Sequence, residues 1–245
     1  MAMNQMLAHL RQGLRQMGIE LTSEQLDSFE TYRAELLDWN QRMNLTAITE
    51  PAEIEIRHFL DSLTVLYAIA EWQQDHAHLD IIDVGSGAGF PGLPLGLVLP
   101  NTSVTLLEAT RKKVDFLTHL VSTLPVTNVQ VVLGRAEDVG HMVAHRQRYD
   151  LAVARAVAPL RVLAEYCLPF VRVGGVFVAL KKGDLCHELQ SAARAMHTLG
   201  GADVRLCHIP LPQLPGERYL ACSTKRLPTP ALYPRRAGMP SKHPL

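Results

Sequence analysis

The residues best suited to chemistry lie in one glycine-rich segment, residues 80–95, whose sequence is D-I-I-D-V-G-S-G-A-G-F-P-G-L-P-L. An apolar run ends at Asp83, and closely spaced glycines follow before a second apolar run begins. This order predicts a strand, a turn and the N-terminus of a helix. Glycine permits positive φ and the close approach of a ligand, and the first N–H groups of a helix have no partner within it. The segment therefore predicts a cofactor-binding loop formed by Gly85, Gly87 and Gly89.

The acidic residues on either side of this loop bear on which cofactor it holds. Gly87-x-Gly89-x-x-Gly92 fits the dinucleotide pattern, and Glu108 lies at about the spacing of a ribose-binding acid. Asp83, at the end of the predicted strand, instead suits the ammonium group of S-adenosylmethionine and would repel a pyrophosphate. The loop alone leaves both cofactors open, whereas the two acids argue against a turn that binds no ligand.

The remaining sequence predicts the elements that position this loop. Residues 1 to about 75 predict helices, and Thr22 with Gln25 three positions later forms a capping-box pattern. From residue 79 onward, apolar strands alternate with helices, which is typical of a parallel sheet covered on both faces. The predicted strands span residues 79–84, 104–108, 129–133, 151–154, 175–180, 203–208 and 218–222, and two of the intervening helices span 111–121 and 159–171.

The last two predicted strands decide between the two cofactors. Their proline-rich connection is too short for a crossover helix and predicts an antiparallel hairpin at the edge of the sheet. Seven strands that end in such a hairpin are typical of class I methyltransferases, whereas dinucleotide folds normally lack this ending. We therefore predict an α/β fold: a class I (Rossmann-like) S-adenosylmethionine-dependent methyltransferase with a seven-stranded, mostly parallel sheet and an N-terminal helical extension. The predicted divisions are the helical extension over residues 1–75, the methyltransferase domain over 76–226 and a proline-rich, basic C-terminal tail over 227–245.

Composition sets further bounds on location and partners. The chain has 245 residues, of which 47% are hydrophobic, and equal numbers of acidic and basic residues. We find no secretion signal, no apolar run near the ~20 residues that cross a membrane and no C-x-x-C metal pattern among the four cysteines. We expect a cytoplasmic monomer without a metal and with reduced, mostly buried thiols. Residues 218–245 hold six lysines and arginines and no acid, which fits either a solvated end or a phosphate-contacting arm.

Polar residues at three other predicted strand ends fit an adenosyl cofactor. Glu108 follows the second strand, where an acid can accept hydrogen bonds from both ribose hydroxyls. After the third strand, Glu137 or Asp138 can accept one from the exocyclic amine of adenine. Arg155 leaves an apolar strand at the edge where doubly wound sheets bind ligands, and it needs a polar partner there. We expect these residues to meet at one site.

The segment after the fourth strand bears on the methyl acceptor. It holds no N/D-P-P-Y/F motif, which argues against an exocyclic amine. No Pro-Cys pair follows, and Cys167 falls inside a predicted helix, which argues against covalent attack on cytosine C5. The acceptors that remain need no activation or are hydroxyls with a lysine base, for which Lys181 and Lys182 are candidates.

Several segments carry motifs that are more specific than the glycine loop. They are N-L-T-A-I and R-H-F-L-D-S-L upstream, V-G-S-G-A-G-F-P-G, G-R-A-E, A-R-A-V-A and A-L-K-K-G in the sheet region, and Y-P-R-R-A-G-M-P-S-K-H-P-L at the end. Together they resemble the RsmG (GidB) family from about residue 39 to residue 245. The resemblance implies methyl transfer from S-adenosylmethionine to N7 of a guanine in 16S rRNA. It also implies cofactor contacts at Gly85, Phe90, the Ala136-Glu137 pair and Arg155, with Glu108 near the ribose.

Guanine N7 has a lone pair and no proton to lose, so transfer to it needs no general base, and positioning is expected to supply the rate. No catalytic residue is assigned. We expect the tail to wrap the domain as an ordered strap. The predicted partner is 16S rRNA, in the 30S subunit or an assembly intermediate, and the predicted phosphate contacts are Arg42, Arg57, Lys112, Lys113, Lys182, Arg218, Arg235, Arg236 and Lys242. The alternatives are an S-adenosylmethionine-binding assembly factor without turnover, a methyltransferase for a protein or small molecule, and a dinucleotide oxidoreductase.

Overall fold

One seven-stranded sheet forms the centre of the computed structural model, which describes residues 7–73, 78–155 and 158–245. The strands are β1 (Leu79–Val84), β2 (Thr102–Glu108), β3 (Val129–Leu133), β4 (Tyr149–Arg155), β5 (Val171–Lys182), β6 (Arg205–His208) and β7 (Arg218–Thr224). Their order is β3-β2-β1-β4-β5-β7-β6. The first five strands are parallel, and β7 runs antiparallel to both β5 and β6. This arrangement confirms the predicted class I methyltransferase fold, including its terminal hairpin.

Helices cover both faces of the sheet. They are α1 (Ala8–Gln16), α2 (Ser23–Asn40), α3 (Pro51–Ile54), α4 (Asp61–Leu63), α5 (Val65–Gln73), α6 (Gly92–Val98), α7 (Arg111–Thr123), α8 (Ala136–Val139), α9 (Leu160–Cys167), α10 (Cys186–Thr198) and α11 (Met239–Lys242), and a π-helical segment (Glu55–Leu60) joins α3 to α4. Successive side chains of a strand point to opposite faces. Accordingly, Ile81 and Ile82 of β1 belong to two separate buried clusters.

The N-terminal helices pack on the face of the sheet that carries the glycine loop. The capping box at the start of α2 is confirmed, since Thr22 Oγ1 accepts the Gln25 N–H at 3.2 Å and Gln25 Oε1 accepts the Thr22 N–H at 3.0 Å. Tyr32 of α2 and Phe59 are fully buried in the same cluster as Phe90 of the glycine loop. Helical extension and sheet therefore share one core. The predicted boundary between residues 75 and 76 lies outside the described residues.

The helix after β4 is shorter than predicted. It ends at Cys167, which confirms that this cysteine is helical, but Val171 already begins β5 and pairs with Tyr149. The Phe170 carbonyl accepts the Tyr149 N–H at 3.1 Å. The segment 160–171 contains Pro169, which lacks an N–H and disfavours helical backbone at the residue before it, so the sequence held a signal for this boundary that the prediction overlooked. Residues 156–157 of the A-R-A-V-A motif lie outside the described residues.

Residues 227–245, which we call the C-terminal strap, follow the surface of the domain as predicted. Its only regular element within the described residues is the short helix α11. The Arg146 guanidinium donates to the carbonyls of Thr229 and Tyr233, each at 2.8 Å. The buried ammonium of Lys225 donates to the Thr229 hydroxyl and to two backbone carbonyls. The start of the strap is therefore fixed by cations that donate to its oxygens.

Two expectations from composition can be compared with the structure. Within the described ranges, no helix combines the length and the apolar character needed to cross a membrane. None of the four cysteines, all of which lie within the described residues, forms a disulfide: Cys167 and Cys222 are buried, Cys207 is half-buried and Cys186 is exposed. Two of the four are thus buried, which is fewer than the predicted majority, and the exposed Cys186 is the first residue of α10.

Candidate cofactor site

A cavity of about 450 Å³ lies at the carboxyl ends of the parallel strands, the edge where doubly wound sheets bind ligands. Seven predicted cofactor residues line it, namely Gly85, Gly87, Phe90, Glu108, Ala136, Glu137 and Arg155. Asp83 and Gly89 do not belong to the lining. The lining also includes Lys113, predicted as a phosphate contact, and Arg135 and Tyr166, which the sequence did not single out.

Two contacts fix the glycine loop, one with Glu108 in the cavity wall and one with Tyr32 on the side away from the cavity. Gly87 has φ of +61°, and its N–H donates to Glu108 Oε2 at 2.9 Å. Gly89 has φ of +101°, and a Cβ at this position would lie 2.5 Å from the Tyr32 hydroxyl oxygen. That hydroxyl donates to the Ala88 carbonyl at 2.6 Å. Gly89 therefore serves the loop by admitting Tyr32 rather than by facing the cavity.

Asp83 does not take the position that the sequence suggested. Its side chain is fully buried, and Oδ2 accepts the Gly92 N–H at 2.8 Å at the start of α6. Among the described residues, Oδ1 has no hydrogen-bond partner. Burial raises the pKa of Asp83 to about 7, against the lowering effects of the Gly92 N–H and of Arg155. The free N–H groups at a helix N-terminus attract a carboxylate, which explains why Asp83 turns toward α6 and away from the cavity.

Backbone N–H groups of two different loops hold the carboxylate of Glu108 in the cavity wall. Its Oε2 accepts the Gly87 N–H at 2.9 Å, and its Oε1 accepts the Thr110 N–H at 2.8 Å. The residue is 6% exposed. A carboxylate oxygen can accept more than one hydrogen bond, so both oxygens retain capacity toward a diol. This pair of acceptor oxygens fits the ribose hydroxyls of an adenosyl group.

Glu137 and Asp138, between which the sequence could not choose, differ in placement. Glu137 lines the cavity and is 5% exposed, whereas Asp138 is exposed and outside the lining. Glu137 Oε1 accepts the backbone N–H of Gly238 in the C-terminal strap at 2.9 Å. Among the described residues, none donates a hydrogen bond to the second oxygen, Oε2. This oxygen is therefore the candidate acceptor for an adenine amine.

Arg155 lines the cavity, and its charge is balanced by the N-terminal helices. Its Nη1 donates to the Arg57 carbonyl at 2.9 Å and to Asp61 Oδ2 at 3.1 Å. Its Nη2 lies 3.1 Å from His58 Nδ1. The need for a polar partner was predicted, but the partners are these residues of the R-H-F-L-D motif, nearly a hundred positions earlier in the chain.

His58 orders this corner of the site. Burial, followed by the charge of Arg155, lowers the pKa of His58 to about 3. A neutral ring that accepts from Arg155 at Nδ1 must carry its proton on Nε2, which lies 2.8 Å from the Thr46 hydroxyl. The ring stacks on Phe90 at 4.5 Å between centroids, and the Arg155 guanidinium carbon lies 4.9 Å from the same Phe90 centroid. The sequence contained the motif but gave no signal for this stacking.

The predicted phosphate contacts separate into exposed and internally paired residues. Arg42 and Arg57 are exposed and form helix-surface ion pairs with Asp38 and Glu53, a type of pair that contributes little. Lys113 belongs to neither group, because it is half-buried in the cavity wall. The exposed members without an ion pair to a described residue are Lys112, Lys182, Arg236 and Lys242.

Two predicted phosphate contacts have partners inside the protein. Arg235 binds the fully buried carboxylate of Glu165, with Nε to Oε1 at 2.9 Å and Nη2 to Oε2 at 2.6 Å. Arg218 lies 3.3 Å from Asp61 Oδ1, and its side chain is only 16% exposed. A buried carboxylate demands a counter-charge, so Arg235 is not free to bind RNA. Arg235 and Arg218 therefore have internal partners, unlike the exposed lysines and arginines of the predicted set.

The lysine-base alternative also meets a structural obstacle. Lys181 Nζ donates to the Ala158 carbonyl at 3.0 Å and to Glu188 Oε1 at 2.6 Å. Glu188 Oε1 in turn accepts the Leu160 N–H at 2.6 Å. Lys181 is thus engaged in holding the segment after β4, and the exposed Lys182 lies outside the cavity lining.

The sheet order, with a cavity at its carboxyl edge, is that of the class I methyltransferase fold. Two solved structures share the fold at low sequence identity. The CMeT domain of the citrinin polyketide synthase superimposes with a TM-score of 0.53 at 10% identity, covering 69% of this chain and 53% of that one. Protein Atu636 from Agrobacterium tumefaciens, described as a predicted O-methyltransferase, gives a TM-score of 0.50 at 16% identity, covering 62% of this chain and 75% of that one.

The chain belongs to the GidB family, whose model, described as rRNA small subunit methyltransferase G, matches residues 25–213. Curated relatives carry the name ribosomal RNA small subunit methyltransferase G. The relative from Dehalococcoides mccartyi (strain CBDB1) is 46% identical over 233 residues, or 95% of this chain and 97% of that protein. The relative from Desulforamulus reducens is 39% identical over 243 residues, or 99% of this chain and all of that protein. The family inferred from the sequence motifs is thereby confirmed.

Proposed function

We propose that this protein transfers a methyl group from S-adenosylmethionine to N7 of a guanine in 16S rRNA. The observation that carries the proposal is that a chain of the GidB family places two buried carboxylates, Glu108 and Glu137, beside a positive-φ glycine loop in one cavity. Relatives named for small-subunit rRNA methylation align over nearly the full length. These findings support both the cofactor and the class of substrate.

The cavity residues fit an adenosyl cofactor in kind and in placement. Glu108 would bind the ribose hydroxyls, and the free oxygen of Glu137, with the neighbouring backbone at Ala136, would bind the adenine edge. Gly85 and Gly87 would let the amino acid portion approach the backbone. Asp83 would act indirectly, because its carboxylate fixes the start of α6 through the Gly92 N–H.

When bound, S-adenosylmethionine supplies a methyl group on a sulfonium, and guanine N7 can accept that group with its in-plane lone pair. No proton has to leave N7, so the chain needs no general base. The engagement of Lys181 by Glu188 and Ala158 agrees with this requirement. The protein would contribute by holding the guanine in line, and the rate would come from positioning.

The RNA would lie across the carboxyl edge of the sheet. Arg57, Lys112 and Lys182 are exposed there, around the cavity. Each lysine that contacts a phosphate should reduce the dependence of log affinity on log salt by about one when it is replaced. Lys112→Ala and Lys182→Ala should therefore weaken binding to 30S particles and flatten this salt dependence, whereas an unchanged slope would remove these lysines from the interface.

The direct test is methyl transfer from labelled S-adenosylmethionine to 30S subunits that lack the modification, with the labelled base located by N7-specific strand cleavage. Label at a single guanine of 16S rRNA would support reaction, atom and substrate together. A Glu108→Gln variant should lose cofactor binding and serves as the negative control. Binding of cofactor and subunit without any label would favour an assembly factor, and label that survives ribonuclease treatment of the substrate would favour a protein acceptor.

A further inference from the structure

The C-terminal strap reaches the wall of the cofactor cavity. The Gly238 N–H donates to Glu137 Oε1 at 2.9 Å, and Glu137 lines the cavity. A second lining residue, Tyr166, lies beside the strap: burial raises its pKa, and the neighbouring Ser241 side chain opposes the rise. The strap therefore stands directly behind two side chains of the site, although it is the part of the chain most distant from the glycine loop in sequence.

A buried ion pair fixes the strap at this position. Glu165 is fully buried and precedes Tyr166, and it accepts from the backbone N–H of Arg235 at 2.7 Å as well as from the guanidinium. Pro234 and Pro240 on either side of Gly238 are buried. Because the ion pair and the two prolines hold the backbone on both sides, Gly238 presents its N–H to Glu137 in a defined direction.

The hydrogen bond divides the two oxygens of Glu137 between the strap and the cavity. Oε1 is occupied by Gly238, and among the described residues Oε2 receives no donor. A carboxylate with one oxygen fixed cannot rotate freely, so the other oxygen is pre-oriented. Pre-orientation of a polar group reduces the ordering cost of binding.

We propose that the C-terminal strap is a positioning element of the cofactor site, and that its docking and the binding of an adenosyl cofactor stabilise each other. This inference rests on the proposed function, because it takes S-adenosylmethionine as the ligand of the cavity. Coupling between two binding events is reciprocal and typically amounts to a factor of about 5 to 150. The cofactor should thus bind less tightly when the strap is loosened, and the strap should be better protected when the cofactor is bound.

The first test loosens the strap without removing any contact group. Gly238 has φ of +84°, and a Cβ there would meet no atom within 4 Å, so Gly238→Ala strains the backbone and creates no clash. We expect about five- to tenfold weaker binding of S-adenosylhomocysteine by calorimetry in the absence of RNA. Arg226→Ala removes an exposed arginine just before the strap and should leave this affinity unchanged. Equal affinities for Gly238→Ala and the unaltered protein would overturn the proposal.

The second test uses the unaltered protein, so it does not depend on how a variant folds. Hydrogen exchange of residues 233–242 is measured with and without saturating S-adenosylhomocysteine, with the peptide of α10 as an internal reference. Slower exchange of the strap, with α10 unchanged, is expected. Identical exchange despite a measured heat of binding would contradict the coupling, whereas the absence of any binding by the unaltered protein would contradict the proposed function instead.

Discussion

The two walls of the cofactor cavity are built in different ways. The glycine-loop wall, residues 85–90, is backed by aromatic rings of the N-terminal helices: Tyr32 and His58 both stack on Phe90, at 5.2 Å and 4.5 Å between centroids. The strap-side wall, Glu137 and Tyr166, is backed by an ion pair and a backbone hydrogen bond from residues 235–241. Aromatic packing, with a hydrogen bond from the Tyr32 hydroxyl to the Ala88 carbonyl, supports the first wall, whereas an ion pair and a backbone hydrogen bond support the second. Substitutions that add volume should therefore destabilise the first wall most, and substitutions that remove a charge should destabilise the second wall most.

The largest effect should come from charge on the strap-side wall. Arg235→Ala leaves Glu165 buried without its counter-charge, which should lower the free energy of unfolding by about 3–5 kcal/mol. The double variant Arg235→Ala/Glu165→Gln removes the uncompensated charge and should recover most of this loss. Arg236→Ala, one position along and exposed, should stay within about 0.5 kcal/mol of the unaltered protein. Chemical denaturation of the four proteins measures these values, and a double variant no more stable than Arg235→Ala would show that charge is not the cause.

A smaller loss should follow from volume on the glycine-loop wall. Gly89→Ala places a Cβ 2.5 Å from the Tyr32 hydroxyl in a backbone with φ of +101°, and we expect about 2–4 kcal/mol of destabilisation together with loss of cofactor binding. Gly183→Ala has a similar positive φ of +74° but no neighbour within 4 Å, so it should cost only about 1 kcal/mol. Thermal and urea unfolding compare the two variants. Equal losses would mean that Tyr32 yields and that backbone strain alone matters.

The third effect develops gradually with pH, and it distinguishes two buried groups next to the glycine-loop wall, His58 and Asp83. His58 has a pKa lowered to about 3, so only the unfolded chain takes up this proton as pH falls from about 6.5, and stability decreases. Asp83 has a pKa raised to about 7, so the folded chain retains a proton that the unfolded chain releases above about 4, and stability decreases as pH rises from 4 to 7. The two contributions oppose each other between about pH 4 and 6.5.

Replacing Asp83 should reveal this opposition. The free energy of unfolding of Asp83→Asn, relative to the unaltered protein, should increase with pH between 4 and 7, by at most about 1.4 kcal/mol per pH unit. Urea unfolding at half-unit intervals across this range measures the difference. A difference that stays constant with pH would show that Asp83 does not retain its proton in the fold.

The sequence predicted those parts of the fold that depend on local pattern. The strand 129–133 was predicted with its observed bounds, and the hairpin of β6 and β7 followed from a connection too short for a helix. The end of α9 was predicted wrongly: Pro169 marks it, but apolar residues at helical spacing continue past the proline to Val171, which instead pairs with Tyr149 in β5. Local residue order suffices for elements, whereas their limits depend on partners elsewhere in the chain.

The sequence predicted those site residues that line the cavity because they stand at the end of a strand. Glu108 and Arg155 line the cavity for that reason. The orientation of Asp83 depends on the Gly92 N–H, and the pairing of Arg235 depends on Glu165, 70 positions earlier. The contacts of His58 and Tyr32 with the glycine loop depend on how the N-terminal helices pack against it, which the local sequence does not specify. Contacts between distant segments account for the differences at Arg235, His58 and Tyr32, whereas the orientation of Asp83 follows from a helix N-terminus in the adjacent loop.

The hydrogen bond from Tyr32 to the Ala88 carbonyl has a consequence for synthesis. The donor precedes the acceptor by 56 residues, and a chain leaves the ribosome from its N-terminus at roughly 5–20 residues per second. Helix α2 therefore emerges several seconds before the loop that it supports. Tyr32 is therefore synthesised before the glycine loop, and the Ala88 carbonyl of the loop can accept its hydrogen bond from Tyr32 as soon as it emerges.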